Sequence, residues 1–201
     1  VATTRKLTPR GKERRDQLLT TATTLFAQKG YHPTSVADIV DQLGVGKGVF
    51  YWYFESKEVL FEEILREAQK ALRRRQQQTI SPQSDPVAQL ELGIRAAVLW
   101  TAEHRELADL FDFAQTDQRF AKLIRHGRAT LAGDAIPYLK EAIALGRIRP
   151  GNPEHMAVSI LGVALTMTSV YIHQRGEDPT TVADEVVAFC LYGMGAEDVR
   201  G

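Results

Sequence analysis

The 201-residue sequence predicts an all-α fold of about nine helices. Two observations carry this. Apolar residues recur at intervals of three and four along the chain, and no period-two alternation persists. Start and stop signals punctuate that pattern. Asn152-Pro153 and Asp178-Pro179 pair an N-cap with a proline at the first helical position, and Gly30, Gly44 and Gly146 follow the ends of apolar stripes. A hydrophobic share of 44% and a charged share of 25% belong to a folded globular protein.

The first helix is expected from Pro9 to Lys29, with Leu18, Ala22, Leu25 and Phe26 inward. The second runs from Ser35 to Leu43, capped by Thr34, with Val36, Ile39 and Val40 inward and Gly44 ending it. The third is short, Lys47 to Tyr53. The fourth opens at Ser56, carries Leu60, Phe61, Ile64, Leu65, Ala68 and Leu72, and runs out in a polar stretch. Ser81 to Asp85 has the composition of a linker and is the expected joint before a fifth helix, Pro86 to Glu103. A sixth is expected over Glu106 to Ala114 and a seventh over Gln118 to Leu145, which Pro137 should kink or split. The eighth and ninth begin at the two capped prolines.

Net charge is zero, but it is not evenly spread. From Val1 to Lys57 nine cations face five anions, a net of +4, so the remainder carries −4. A basic end on a neutral chain suits contact with a polyanion, or is simply a solvated tail. The single cysteine, Cys190, lies in an apolar run and suits a reducing cytoplasm; it offers neither an internal disulfide nor cysteine-spaced metal ligands. No cofactor or metal is expected. No secretory signal is read at the N-terminus. Met156 to Ile172 is nearly all apolar or small, but it is short for a bilayer and holds Ser159, Thr166, Thr168 and Ser169. A helix buried on most sides is the better expectation, and no membrane partner is expected.

Two short helices from Ser35 to Tyr53, separated by a few residues, have helix-turn-helix spacing, in which the second helix presents its N-terminal end to the DNA major groove. The second of them is unusual. Gly48 sits inside it at a cost of about 1 kcal/mol against alanine, which makes sense where something must approach the backbone closely. Tyr51, Trp52 and Tyr53 are consecutive and cannot all be buried. Next to Lys47 and Lys57, aromatic rings with polar tips suit phosphate and thymine-methyl contacts. Phe50 and Phe54, four apart, are read as core.

With Gly30-Tyr31, Thr34-Ser35-Val36, Asp38-Ile39, Gly44-Val45, Lys47-Gly48, Tyr51, Tyr53-Phe54, Ser56-Lys57 and Leu60 in register, the chain resembles the TetR-type repressor head over residues 12 to 65. The resemblance implies roles for individual residues. Thr34 and Ser35 would meet a phosphate at the start of the second helix. Lys47 would touch backbone or base, and Gly48 would lie against the bases. Tyr51 would contact a base or phosphate, Trp52 and Tyr53 the DNA backbone, and Lys57 a phosphate. Gly46 stands where the family commonly has serine, so one hydroxyl contact is missing; Thr34 and the basic arm Arg5 to Arg15 are the expected compensation. The implied partners are a near-palindromic double-stranded operator and a second copy of the chain.

The resemblance also implies a head over residues 1–57 and a body over 58–201, whose last two helices pair with their twins. The sequence supports that pairing separately. The eighth helix mixes Ile160 and Val163 with Ser159 and Gly162, and the ninth carries Val186 and Phe189 in a broad stripe. A small-molecule effector pocket is expected in the body. From a scatter that includes His104, Phe113 and Phe120, the expected lining is Trp100, Phe111, Tyr138, Met167 and Tyr171. An apolar or aromatic effector follows if the acidic row Glu106, Asp109 and Asp112 lies outside the pocket, and a cationic one if it lies inside.

Two other classes compete. An enzyme would draw on Asp109, Asp112, His104 and His126, but no nucleophile motif is present and the glycine-rich stretch Gly44 to Gly48 follows no strand. A helical protein-interaction module without DNA would leave the basic head unexplained.

Overall fold

The computed structural model describes residues 8–195, which form nine α-helices and no strand. Arg5 and Lys6, expected in the basic arm, lie outside the described residues. The helices are α1 (Pro9–Lys29), α2 (Val36–Gln42), α3 (Lys47–Tyr53), α4 (Lys57–Ile80), α5 (Pro86–Glu103), α6 (Arg105–Thr116), α7 (Ala121–Ala144), α8 (Pro153–Met167) and α9 (Pro179–Gly193). A π-helical turn, Thr168–Gln174, continues α8.

The starts are local chemistry. Side chains of Thr8, Ser56, Asp85, Asn152 and Asp178 each accept a hydrogen bond from a first-turn N–H of their helix. For α2 the cap is Ser35, not Thr34. Ser35 Oγ accepts from the Asp38 N–H at 3.2 Å, and the Asp38 carboxylate accepts from the Ser35 N–H at 2.7 Å, a complete capping box. Gly44, at φ 64, then turns the chain toward α3 through the left-handed region that its missing Cβ allows.

α2 and α3 pack on each other and α2 on α1, around Leu18, Phe26, Ile39, Val40 and Phe50. The same core continues through Phe61 and Leu65 of α4 into Leu110 and Ala114 of α6, Phe120, and Ile124 of α7. The hydrophobic core therefore crosses the expected boundary after Lys57 and ties the head to the α6–α7 corner. A second core joins α5, α7, α8 and α9.

Ser81 to Asp85 is not a domain joint. α4 and α5 pack closely on either side of it, and Gln76 Nε2 donates to the Gly93 carbonyl at 3.0 Å, so the segment is the turn of a helical hairpin. α7 passes through Pro137 as one helix. The lost N–H bond is outweighed by burial of Ala132 before the proline and Leu139 and Ala142 after it. The long apolar segment Pro153–Gln174 is long and apolar enough to cross a membrane by length and composition. Here it lies in the helical body, packed on α5, α7 and α9.

Candidate nucleic-acid interface and effector cavity

α3 is held by its inner side and open on its outer side. Phe50 is fully buried and Phe54 nearly so, and their rings meet at 5.8 Å. Rotation about the helix axis then dictates where the neighbours point. Tyr51 is 56% exposed and Trp52 53% exposed, while Lys47 and Gly48 are exposed and Tyr53 half-buried. Among the described residues a Cβ on Gly48 would meet no atom within 4 Å, so no packing among them demands glycine there. Gly46 is the N-cap of α3 and supplies no side-chain hydrogen bond, which leaves this helix without the device that starts the others named above.

Two expected phosphate contacts are corrected. The Thr34 side chain is fully buried and its hydroxyl donates to the Gly30 carbonyl at 2.8 Å, so it cannot reach a phosphate; Ser35 is the exposed residue at that helix end. Lys57 turns its ammonium inward. It donates to the carbonyls of Tyr31 and Thr34 at 2.9 and 2.8 Å and lies 4.3 Å from the Tyr31 ring centre, and burial lowers its pKa. Its charge satisfies the turn before α2, which leaves no free ammonium for DNA.

The turn is clasped from the body as well. The Arg119 guanidinium, just before α7, lies 5.2 Å from the Tyr31 ring centre and pairs with Glu58 at 3.3 Å and Asp117 at 2.7 Å. The Arg119 hydrogen bonds hold the Asp117 carboxyl at about 2. Phe113 stacks on Tyr31 at 5.2 Å. Phe113 and Phe120 thus belong to the head–body junction rather than to a pocket. Sequence periodicity signals their burial but not their partner.

In the body, the five expected pocket residues do not form one wall. Trp100 and Phe111 line a cavity of about 110 Å³ between α4, α5, α6, α7 and α8. His104 stacks on Trp100 at 4.2 Å and donates from Nδ1 to the Trp100 carbonyl at 2.7 Å. Tyr138 lines a second cavity of about 340 Å³ between α4, α5, α7 and α8. Met167 and Tyr171 line neither. Leu165, Ser169 and His173 face the smaller cavity, and positions two residues away on a helix point to the opposite side. Met167 packs into the body core, and Arg175 covers the Tyr171 ring at 4.7 Å. Of the acidic row only Asp112 borders a cavity, from an exposed position.

α8 and α9 leave an apolar surface uncovered. Phe189 is 69% exposed and Val158 62%, with Tyr192 exposed, Val163 half-buried and Ser159, Gly162 and Gly193 small. Val186 is corrected: it is fully buried in the body's own core and unavailable to a partner. Ile160, half-buried, faces the larger cavity and the groove beside Phe189. Val158 and Tyr192 are the surface residues that sequence reasoning missed. Cys190 is buried, which pushes its thiol up to about 11.

By class this is a helix-turn-helix DNA-binding regulator: two short helices on a three-helix head, the second presenting an exposed aromatic and cationic face. Comparison with known proteins agrees. Residues 18–64 match the family model of bacterial regulatory proteins of the tetR family. The chain is 33% identical over 151 residues to the HTH-type transcriptional repressor KstR2 of Mycolicibacterium smegmatis, covering 68% of each. It is 26% identical to the uncharacterized HTH-type transcriptional regulator YdgC of Bacillus subtilis, over 95% of this chain and 98% of that one. The solved structure of the fatty acid degradation regulator FadR from Bacillus halodurans shares the fold, with a TM-score of 0.82 at 19% identity, covering 96% of this chain and 100% of that one. The chain belongs to the TetR family of transcriptional regulators.

Proposed function

We propose that this chain is a dimeric, cytoplasmic repressor that leaves its operator when a small apolar or aromatic molecule enters the body. The reading divides the chain into a DNA-binding head over 1–57 and an effector-binding and dimerising body over 58–201. The observation that carries it is the open face of α3. Lys47, Gly48 and Tyr51 are turned outward on a helix whose other side is anchored by Phe50, and no contact among the described residues accounts for a glycine at 48. Lys47 and Tyr51 would read base edges or phosphate, Gly48 would let the backbone close on the groove, and Ser35, Trp52 and Tyr53 would position the head on the sugar-phosphate chain.

The uncovered surface of Val158, Val163, Phe189 and Tyr192 supports a dimer, since a patch of this kind is what two copies would hide from water. Two heads so joined would span successive major grooves about 34–36 Å apart. The cavities between α4 and α8 support an effector, with the acidic row mostly outside them. Repression is supported by the name of the KstR2 relative, a transcriptional repressor. Release would be a population shift in which effector and DNA favour different head spacings, with reciprocal coupling. Electrophoretic retardation on genomic fragments, followed by footprinting of a selected DNA pool, tests the reading. Salt-sensitive, sequence-selective binding to a near-palindrome is expected. Absence of any selective binding would leave only an interaction module.

A further inference from the structure

The Tyr31 turn is braced as one piece with the start of α2. The Thr34 hydroxyl donates to the Gly30 carbonyl at 2.8 Å, Lys57 Nζ donates to the carbonyls of Tyr31 and Thr34, and the Ser35 capping box follows directly. α2 in turn packs on α3. A displacement of Tyr31 is therefore passed on to the helix with the open face.

The body meets the head in two ways. One is apolar. α6 packs along α1, Phe113 and Phe120 lie against the Tyr31 ring at 5.2 and 5.4 Å, and Phe113 lies against His32 at 5.3 Å. Such contact holds two surfaces together, but it is non-directional and tolerates small rotations. The other is Arg119. Asp117 accepts two of its hydrogen bonds, from Nε at 3.0 Å and from Nη2 at 2.7 Å, and both residues lie in the short connection between α6 and α7. That two-point grip fixes the plane of the guanidinium. Nη1 is left to donate to Glu58 Oε1 at 3.3 Å, the same oxygen that accepts from the Tyr31 hydroxyl, while the group lies over the Tyr31 ring. Among the described residues, no other ion pair joins residues 8–58 to an element after α4. Arg119 and Glu58 are each about two-fifths exposed, so the pair contributes little to stability. What it supplies is direction.

We propose that Arg119 is a positioning residue for DNA recognition: aimed by Asp117, it fixes the angle of the head on the body and so sets the half-site spacing that the dimer accepts. It acts through Tyr31 and Glu58 rather than on DNA. The proposal rests on the reading of the chain as a dimeric operator-binding regulator and adds the determinant of its spacing. One base pair inserted between half-sites moves them about 3.4 Å apart and turns them by about 34°. Heads held at a fixed angle resist that change, and heads held only by the apolar contacts follow it.

The test uses the full chain and the near-palindrome recovered by selection, with versions that gain or lose one central base pair and a fragment carrying a single half-site. The wild type should bind either respaced site at least tenfold more weakly. For Arg119→Ala that penalty should fall to threefold or less, with half-site affinity within twofold of the wild type. Arg119→Lys keeps the charge but not the two-point grip on Asp117, and should behave like Arg119→Ala. Arg147→Ala, which removes a similarly exposed pair with Asp85 elsewhere in the body, should behave like the wild type. A second readout needs no DNA. Gln42 is exposed on α2 and the one native cysteine is buried, so a spin label on Gln42→Cys reports the distance between the heads of a dimer. The distance distribution should be broader with Arg119→Ala than without it. Wild-type spacing preference in a folded Arg119→Ala dimer, or an interspin distribution no broader than its parent's, overturns the proposal. So does a wild type that binds all three spacings alike. Affinity lost equally on every site, the half-site included, marks a structural role and overturns it as well. Absence of selective binding to any site counts instead against the regulator reading.

Discussion

The Tyr31 hydroxyl donates to Glu58 Oε1 at 3.0 Å, across 27 residues of sequence, and joins the turn before α2 to the first turn of α4. Around this bond Lys57 and Arg119 lie against the same ring, so the junction between head and body is built on one tyrosine. Burial, followed by the Glu58 carboxylate, raises the Tyr31 pKa, and hydrogen bonds from its own N–H and from Tyr31 hold Glu58 low.

The junction should therefore be pH-sensitive at both ends. Tyr31 is raised above its ordinary 10.0, so its contribution is complete below pH 10 and is lost as pH rises through the folded value. Glu58 is lowered below its ordinary 4.5, so its contribution is present above that pH and is lost as pH falls through the folded value. Tyr31→Phe should cost about 1 kcal/mol at neutral pH, discounted for the exposure of Glu58, and should flatten the alkaline limb. Denaturant midpoints from pH 7 to 11 measure this; an unchanged alkaline limb would show that the bond does not carry the effect.

Gly48→Ala separates stability from function. An alanine in the first turn of α3, with open space around its Cβ, should raise stability by up to about 1 kcal/mol, the helix-interior difference between alanine and glycine. The added methyl should lower operator affinity, because it stands where the DNA is expected to approach. Melting and retardation measured on one preparation give the two signs. A variant both more stable and equally tight on DNA would remove Gly48 from the interface.

Gly46→Ser supplies what α3 lacks. The position has an ordinary φ of −77 and no neighbour within 4 Å of a new Cβ. Stability should rise by a few tenths of a kcal/mol, about the difference between serine and glycine at an N-cap. Operator affinity should rise as well, through a hydroxyl facing phosphate.

Lys47→Ala and Tyr51→Ala should each remove about 1–3 kcal/mol of specific binding with fold and assembly unchanged. Lys47→Ala should also reduce the slope of log affinity against log salt by about 1 if Lys47 meets a phosphate. Wild-type affinity in both variants would contradict the assignment of α3.

Val186 and Phe189 lie three residues apart on α9 and should behave oppositely. Val186→Ala should cost about 2 kcal/mol of stability by opening a hole in the body core. Phe189→Glu should leave the monomer folded and abolish association. Sedimentation of the wild type at micromolar concentration should give twice 22.4 kDa. A Phe189→Glu protein still at that mass would place the interface elsewhere.

Much of this molecule is local, and local features are legible in sequence. Asn152-Pro153, Asp178-Pro179 and Ser56 start helices with their own side chains, and Gly44 ends one by a backbone freedom no neighbour supplies. The unusual character of α3 was legible for the same reason, since three consecutive aromatics cannot all face one core. The tertiary structure decided which partner each side chain meets. Thr34 and Ser35 are both plausible caps until packing buries one. Lys57 reads as a phosphate ligand until three helices converge on the Tyr31 turn and orient its ammonium. Val186 and Phe189 share a stripe until α5 and α8 cover one side of α9. Trp100 and Tyr138 both read as pocket aromatics in sequence, but the folded chain places them in different cavities. A period of 3.6 residues says that a face is buried; which surface buries it depends on contacts distant in sequence, and those exist only once the chain has folded.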